Sequence, residues 1–251
     1  MRRVSIVAFA CVVSVVALAF APEGQDKPRA LILTGQNNHD WKKTTPYLKE
    51  LLEKDKSGGF AADVSEDPEA PILEDKEKLK SYKIIVLNIN RGKRWSKTRE
   101  ANFLAYVREG GGLVVVHAAD NAFDGWDEYE KLIGGAWRAK GSVFPNRGTF
   151  HPAYGPFEVV VDDSEHPITK GIGKSFSTKD EKYTNLRLQD NIHILAHADE
   201  GGKAQPLLFV SSFGDGRMFQ TALGHDLNAM NNPQFIETFL RGSRWAAGLS
   251  K

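Results

Sequence analysis

Past its first two dozen residues, the chain alternates short, wholly apolar blocks with longer segments of helical patterning. Ala30-Leu31-Ile32-Leu33, Ile84-Ile85-Val86-Leu87 and Leu113-Val114-Val115-Val116 each lack a polar position. Such runs read as strands buried on both faces of a sheet. Phe60 to Val64 is a further strand of weaker pattern. Between these blocks, Tyr47, Leu48, Leu51 and Leu52 form an apolar stripe that predicts a helix over about Lys43–Lys54. A polar helix is expected from Glu74 to Lys80. Ser96 can cap another that runs to about Glu109, with Phe103, Leu104 and Val107 inward. Strands alternating with helices specify parallel pairing through right-handed crossovers, which is a doubly wound α/β sheet.

The second half reads differently. Gly110-Gly111-Gly112 closes the third helix and opens the strand that ends at His117. Aromatic and glycine residues follow, then an aperiodic stretch from Arg138 to His151, expected as a long loop over the sheet edge. Strand character returns at Phe157–Val161, Ile192–Ala196, Pro206–Val210 and Arg217–Thr221. The last two are joined through Ser212-Phe213-Gly214-Asp215-Gly216 as an antiparallel hairpin. Pro233 to Ala247 is a terminal helix. No repeat or linker divides residues 30–248, so one domain is expected there.

Residues 1–21 carry Arg2-Arg3 ahead of an uncharged apolar run, the layout of a secretory signal peptide, with Ala17-Leu18-Ala19 favouring cleavage after Ala19. Residues 22–29 then form a polar tether, and the mature protein is expected in the periplasm or outside the cell, free of the membrane. An uncleaved anchor is the second reading of the same run. Cys11 is the sole cysteine and lies within the leader, which removes disulfides, thiolate metal sites and cysteine nucleophiles from the mature chain. Lys+Arg number 33 against 32 Asp+Glu, and no basic stripe recommends nucleic acid. A small molecule or neutral polymer suits such a surface better.

Histidine then becomes the residue to follow. His39, His117 and His225 each stand shortly after an apolar strand, where the carboxyl edge of an open α/β sheet forms a ligand crevice. Imidazole can move protons near neutral pH or ligate a metal. One loop histidine alone more often serves structure, and it is the repeated placement that carries weight. His151, in the long loop, could reach over the same crevice. His166, ahead of Pro167, reads as a turn residue, and His193 and His197 receive no role. The adjacent acids Asp180-Glu181 could orient an imidazole or complete a site, although Lys179 and Lys182 also fit a charged surface loop. Trp41, Phe123, Trp126 and Trp137 could stack on sugars or fill the core. The three glycines precede a strand and match no phosphate-loop pattern.

Several of these strings, taken in order, resemble the ThuA-like (trehalose utilisation) family. They are Thr34-Gly35 with His39-Asp40-Trp41, Gly111-Gly112 through His117, Trp126 to Gly135, His166-Pro167-Ile168, Asp180-Glu181 with Tyr183, and Gly214-Asp215-Gly216-Arg217 with Leu223-Gly224-His225. The resemblance spans about Arg29 to Ala247. It implies the class I glutamine amidotransferase-like superfamily and a flavodoxin-like, mostly parallel sheet. Where amidotransferases of that superfamily carry a cysteine nucleophile, this strand ends in His117, so glutamine hydrolysis does not carry over. The resemblance also implies work on carbohydrates, particularly disaccharides and their keto derivatives.

The expectation is therefore an exported sugar-processing enzyme. His117, His225 and Glu181 transfer protons in isomerisation, elimination or hydrolysis, and His39, Trp41, Trp126, His151 and Asp180 contact substrate. It needs no cofactor in that form. A second reading makes His117, His225 and Glu181 ligands of a divalent metal, a set whose scattered order gives no diagnostic spacing. A third is a secreted sugar-binding module without catalysis.

Overall fold

The structure, a computed structural model, describes residues 27–145 and 148–250. The predicted leader and residues 22–26 of the tether lie outside the described residues. The chain runs β1 (Arg29–Leu33), α1 (Trp41–Lys54), β2 (Ala61–Ser65), α2 (Lys76–Lys80), β3 (Tyr82–Leu87), α3 (Lys97–Arg108), β4 (Gly112–Val116), α4 (Asp127–Ile133) and β5 (Gly135–Ala136). It continues through β6 (Gly155–Val161), β7 (Ser175–Asp180), β8 (Arg187–Leu188), β9 (His193–Glu200), β10 (Lys203–Phe213), β11 (Gly216–Thr221), α5 (Leu227–Met230) and α6 (Pro233–Ala246).

The main sheet has nine strands in the order β2-β1-β3-β4-β11-β10-β9-β6-β7. From β2 to β11 all pairs are parallel, the strand order of a flavodoxin-like fold. From β11 onward all pairs are antiparallel, so the hairpin expected at the C-terminus is the start of a longer antiparallel wing. A second sheet pairs only β5 with β8.

The wholly apolar strands are buried on both faces because helices cover both. Ala30, Ile32, Ile84, Val86, Val114 and Val116 pack with Leu48 and Leu52 of α1 and Phe235 and Phe239 of α6. Their alternates Leu31, Leu33, Ile85, Leu87, Leu113 and Val115 pack with Phe103 and Val107 of α3 and Tyr129 and Leu132 of α4. Each such side chain contributes roughly 1.5–3 kcal/mol by leaving water. Close helix–sheet approach depends on Gly242 in α6, where an added Cβ would lie 2.1 Å from the Phe219 ring. Among the described residues, no helix is long and apolar enough to cross a membrane.

Helix α3 starts as expected, with Ser96 Oγ accepting from the Arg99 amide at 3.4 Å. Two of the elements that the sequence pattern does not predict bear on the site. Ser175–Asp180, expected only as a polar constellation, is strand β7: its inward positions Phe176, Thr178 and Asp180 alternate correctly but two of them are polar. Asp127–Ile133 is a short helix within the aromatic stretch. The described parts of the expected loop, residues 138–145 and 148–151, carry no helix, and Phe150 is held by a bridge to Thr184.

Candidate functional site

The parallel strands deliver their carboxyl ends to one edge, and three histidines stand there. His117 follows β4 directly, with a left-handed φ of +46°. This conformation is uncommon for any residue but glycine, and histidine is among the residues enriched in it. It turns the imidazole back over the strand end. His39 sits on the loop after β1, where Gly35 is essential: its φ is +106° and an added Cβ would lie 1.6 Å from the Glu66 carbonyl oxygen. His225 follows β11 after Gly224, whose φ is +112°.

The carboxylate comes from the opposite end of the sheet. β7 is separated from β11 by β10, β9 and β6, yet Asp180 Oδ2 accepts the Gly224 amide at 2.7 Å and Asp180 Oδ1 the His225 amide at 3.2 Å. The antiparallel wing therefore curls back over the carboxyl edge, and Glu181 is carried into the histidines. Its Oε2 lies 3.5 Å from His39 Nε2, 3.3 Å from His117 Nε2 and 3.1 Å from His225 Nδ1. The four ligand atoms all lie within 4.8 Å of one another. His39 and His225 also meet edge to face at 4.5 Å between ring centroids.

Each ring's outer nitrogen decides what its inner one offers. The Ala222 carbonyl can only accept, so His117 Nδ1, at 2.7 Å, donates to it and the lone pair of the neutral ring is left on Nε2. Asn37 Oδ1 accepts from the His39 amide at 3.0 Å and from His39 Nδ1 at 3.1 Å, which leaves the His39 Nε2 lone pair facing inward. Asn37 is itself braced by Asn88, whose side-chain amide donates to Thr44 and Thr45 in α1. His225 Nδ1 is buried and faces Glu181 Oε2 at 3.1 Å.

These features fit a divalent metal. Imidazole ligands are usually anchored through the second nitrogen to a carbonyl, amide or carboxylate, as two of these rings are. Two ligands 2.0–2.1 Å from a tetrahedral ion stand roughly 3.3 Å apart, close to the three distances around Glu181 Oε2. The buried His225 Nδ1, which faces the same Glu181 oxygen, completes the donor set. His39, His117, His225 and Glu181 are the residues that would hold the ion.

Electrostatics couple the four groups. Burial alone would raise the Glu181 carboxyl, but the imidazoles of His117, His225 and His39 beside it override that effect and hold the group well below the usual carboxylate range. Burial lowers His39, which keeps it neutral and able to ligate. His225 is raised by its hydrogen bond with Glu181, against the opposing effect of burial.

Around this cluster stand His151, Trp137, Tyr154 and Tyr183. His151 Nε2 is 3.5 Å from the other Glu181 oxygen, and its side chain is 35% exposed at the mouth. Tyr183 stacks on His117 at 4.3 Å and 29° between planes, and its hydroxyl is 2.9 Å from His117 Nε2. Trp137 packs against Tyr183, and Tyr154 against His225.

Of the residues singled out in the sequence, His39, His117, His225, Glu181 and His151 are brought together. His39 belongs inside the cluster, with a side chain only 9% exposed, and not merely at its rim. Two expectations need correction. Asp180 is 1% exposed, and its carboxylate is consumed by the amides of Glu181, Gly224 and His225, so it positions the site and has no face for substrate. Trp126 is 1% exposed in a core of Trp95, Phe103, Phe123 and Tyr129, which leaves no ring face free for a sugar. Trp41 is half-buried at the start of α1 beneath the Lys42 ammonium, and makes no ring contact with the cluster among the described residues. His166 serves its turn, with Nδ1 accepting the Ile168 amide. Tyr183 was quoted in a family motif but given no role, and Tyr154 and Asn37 lay outside the motifs.

The sequence profile of the family described as trehalose utilisation, ThuA, matches residues 29–246. The chain belongs to the ThuA family. A solved ThuA-like protein from Parabacteroides merdae is 31% identical, with 90% of this chain and 92% of that chain covered and a TM-score of 0.78. A second, from Bacteroides uniformis, is 22% identical over 92% of this chain and 96% of that one, with a TM-score of 0.69. A β-galactosidase from Bacillus circulans shares the fold alone, at 12% identity and a TM-score of 0.57, with 31% of its own chain covered. No curated protein matches the sequence. Membership in the ThuA family implies carbohydrate utilisation at the level of the family, and agrees with the flavodoxin-like architecture described above.

Proposed function

We propose that this ThuA-family chain is a divalent-metal-dependent enzyme that processes disaccharides or their keto derivatives. The observation that carries the reading is the convergence of three imidazole nitrogens on one oxygen of Glu181, with the outer nitrogens of two rings tied to Ala222 and Asn37. A divalent ion held there supplies a Lewis acid for a carbonyl or hydroxyl oxygen of the sugar.

The protein's own groups divide the remaining work. Glu181 presents one oxygen to the three histidines and the other to His151, so the ligand cluster and the exposed imidazole are linked through one carboxylate. His151 Nδ1 is tied at 2.8 Å to the Pro152 carbonyl, which leaves Nε2 to exchange a proton at the mouth. Half-buried Trp137, beside His151, and half-buried Tyr154, beside His225, supply ring faces to a sugar. This division suits isomerisation or elimination next to a keto group. The apolar leader with Arg2-Arg3 supports a reaction outside the cytoplasm and away from the membrane, and the lack of a basic stripe favours a small carbohydrate over nucleic acid as partner.

Purified protein incubated with trehalose and with its 3-keto form, followed by NMR and mass spectrometry, tests the reading. Turnover of the keto sugar should stop on chelation and return with added Zn²⁺ or another divalent ion. Turnover that survives complete removal of metal would restore the metal-free proton-transfer mechanism. Saturable binding without product would make the protein a binding module.

A further inference from the structure

We propose that Tyr183 is a further catalytic residue, the hydrogen-bond donor to the carbonyl oxygen of the sugar held over the histidine cluster. The proposal rests on the metal-dependent reading above. It starts from a conflict in the geometry. His117 Nε2 has one lone pair, because Nδ1 is committed to the Ala222 carbonyl. The Tyr183 hydroxyl uses that lone pair at 2.9 Å. A metal bound by His117 needs the same one, so the two cannot be satisfied together.

Tyr183 is 4% exposed, and among the described residues its hydroxyl has no other hydrogen-bond partner. A buried hydroxyl that loses its acceptor must find another or remain unsatisfied. The ring cannot swing away easily, because it is stacked on His117 on one side and packed at 4.5 Å against Trp137 on the other. The backbone is fixed as well, since the next residue, Thr184, exchanges backbone hydrogen bonds with Phe150. The hydroxyl therefore stays beside the cluster, and the acceptor has to come from the molecule that occupies it. A carbonyl oxygen only accepts, and it gains negative charge when the adjacent carbon loses a proton. A fixed O–H donor at that position stabilises the charge as it forms.

The test uses Tyr183→Phe, which keeps the stacked ring and removes only the hydroxyl. Near-ultraviolet circular dichroism and the melting temperature report whether the packing is intact. Zn²⁺ affinity, measured by competition with a chromophoric chelator, should be unchanged or rise, because the competing hydrogen bond to His117 is gone. Acetate, an acceptor-only oxygen probe titrated into Co²⁺-loaded protein and followed in the visible spectrum, should bind about tenfold more weakly than to wild type. Unchanged acetate affinity overturns the donor role. A fall of tenfold or more in Zn²⁺ affinity with packing intact would instead make Tyr183 a ligand, and a collapse of packing would make it structural. Failure of the wild-type protein to take up either ion overturns the metal reading, and the proposal with it, before the variant is considered.

Discussion

Replacing His117 by asparagine should lower divalent-ion affinity by at least about a hundredfold and abolish sugar turnover, with the fold preserved. Asparagine is chosen because the residue has a φ of +46°, a region that asparagine adopts at lower cost than alanine. The substitution removes the ligand nitrogen at the centre of the cluster and the donor to Ala222, so a stability loss of roughly 1–3 kcal/mol is expected from the unsatisfied carbonyl and lost packing. β4 itself is untouched, since Leu113 to Val116 remain buried between two helix layers. Metal affinity by chelator competition, turnover by NMR and thermal melting separate these effects. A variant that melts normally and still binds metal as wild type does would remove His117 from the ligand set.

The second large effect is expected from Glu181→Gln. The amide keeps the shape but carries no charge, and all three imidazoles lose the oxygen that they share. Metal affinity should again fall by about a hundredfold or more. In chelator-treated protein the same variant has a pH signature whose sign follows from linkage. Glu181 is held below its ordinary value of 4.5, so it contributes stability that is present above that pH and lost as pH falls. His225 is held above its ordinary value of 6.5, so it contributes stability that is present below that pH and lost as pH rises through its folded value. Their joint contribution is greatest between 4.5 and 6.5, and the variant lacks it. Melting at about pH 5.5 should therefore show a wider gap between wild type and variant than melting at about pH 8. Equal gaps at both would mean that the ion pairs do not form in the metal-free protein.

The parallel half of the sheet was legible because burial on both faces demands unbroken apolar strands, and a strand that ends in a histidine at the carboxyl edge marks that histidine. His117 and His225 were visible for that reason. β7 was not, because its buried positions Thr178 and Asp180 are polar and their burial is justified only by contacts with other parts of the chain, such as the amides of Gly224 and His225. The same folding-back explains why Asp180 was expected to touch substrate alongside Glu181. Which of Asp180 and Glu181 faces the histidines depends on how the antiparallel wing returns to β11. Trp126 shows the opposite error: an aromatic after a candidate site looks like a sugar platform until Trp95 and Phe103 of a distant helix segment enclose it. Tyr183 stands in a recognised motif, but its role depends on a nitrogen 66 positions away.

The most direct measurement is a calorimetric titration of Zn²⁺ into chelator-stripped wild-type protein. Saturable uptake of a single ion per chain is expected, lost in His117→Asn and in Glu181→Gln. Absence of saturable binding, or binding that persists unchanged in both variants, would contradict the assignment of His39, His117, His225 and Glu181 as a metal centre.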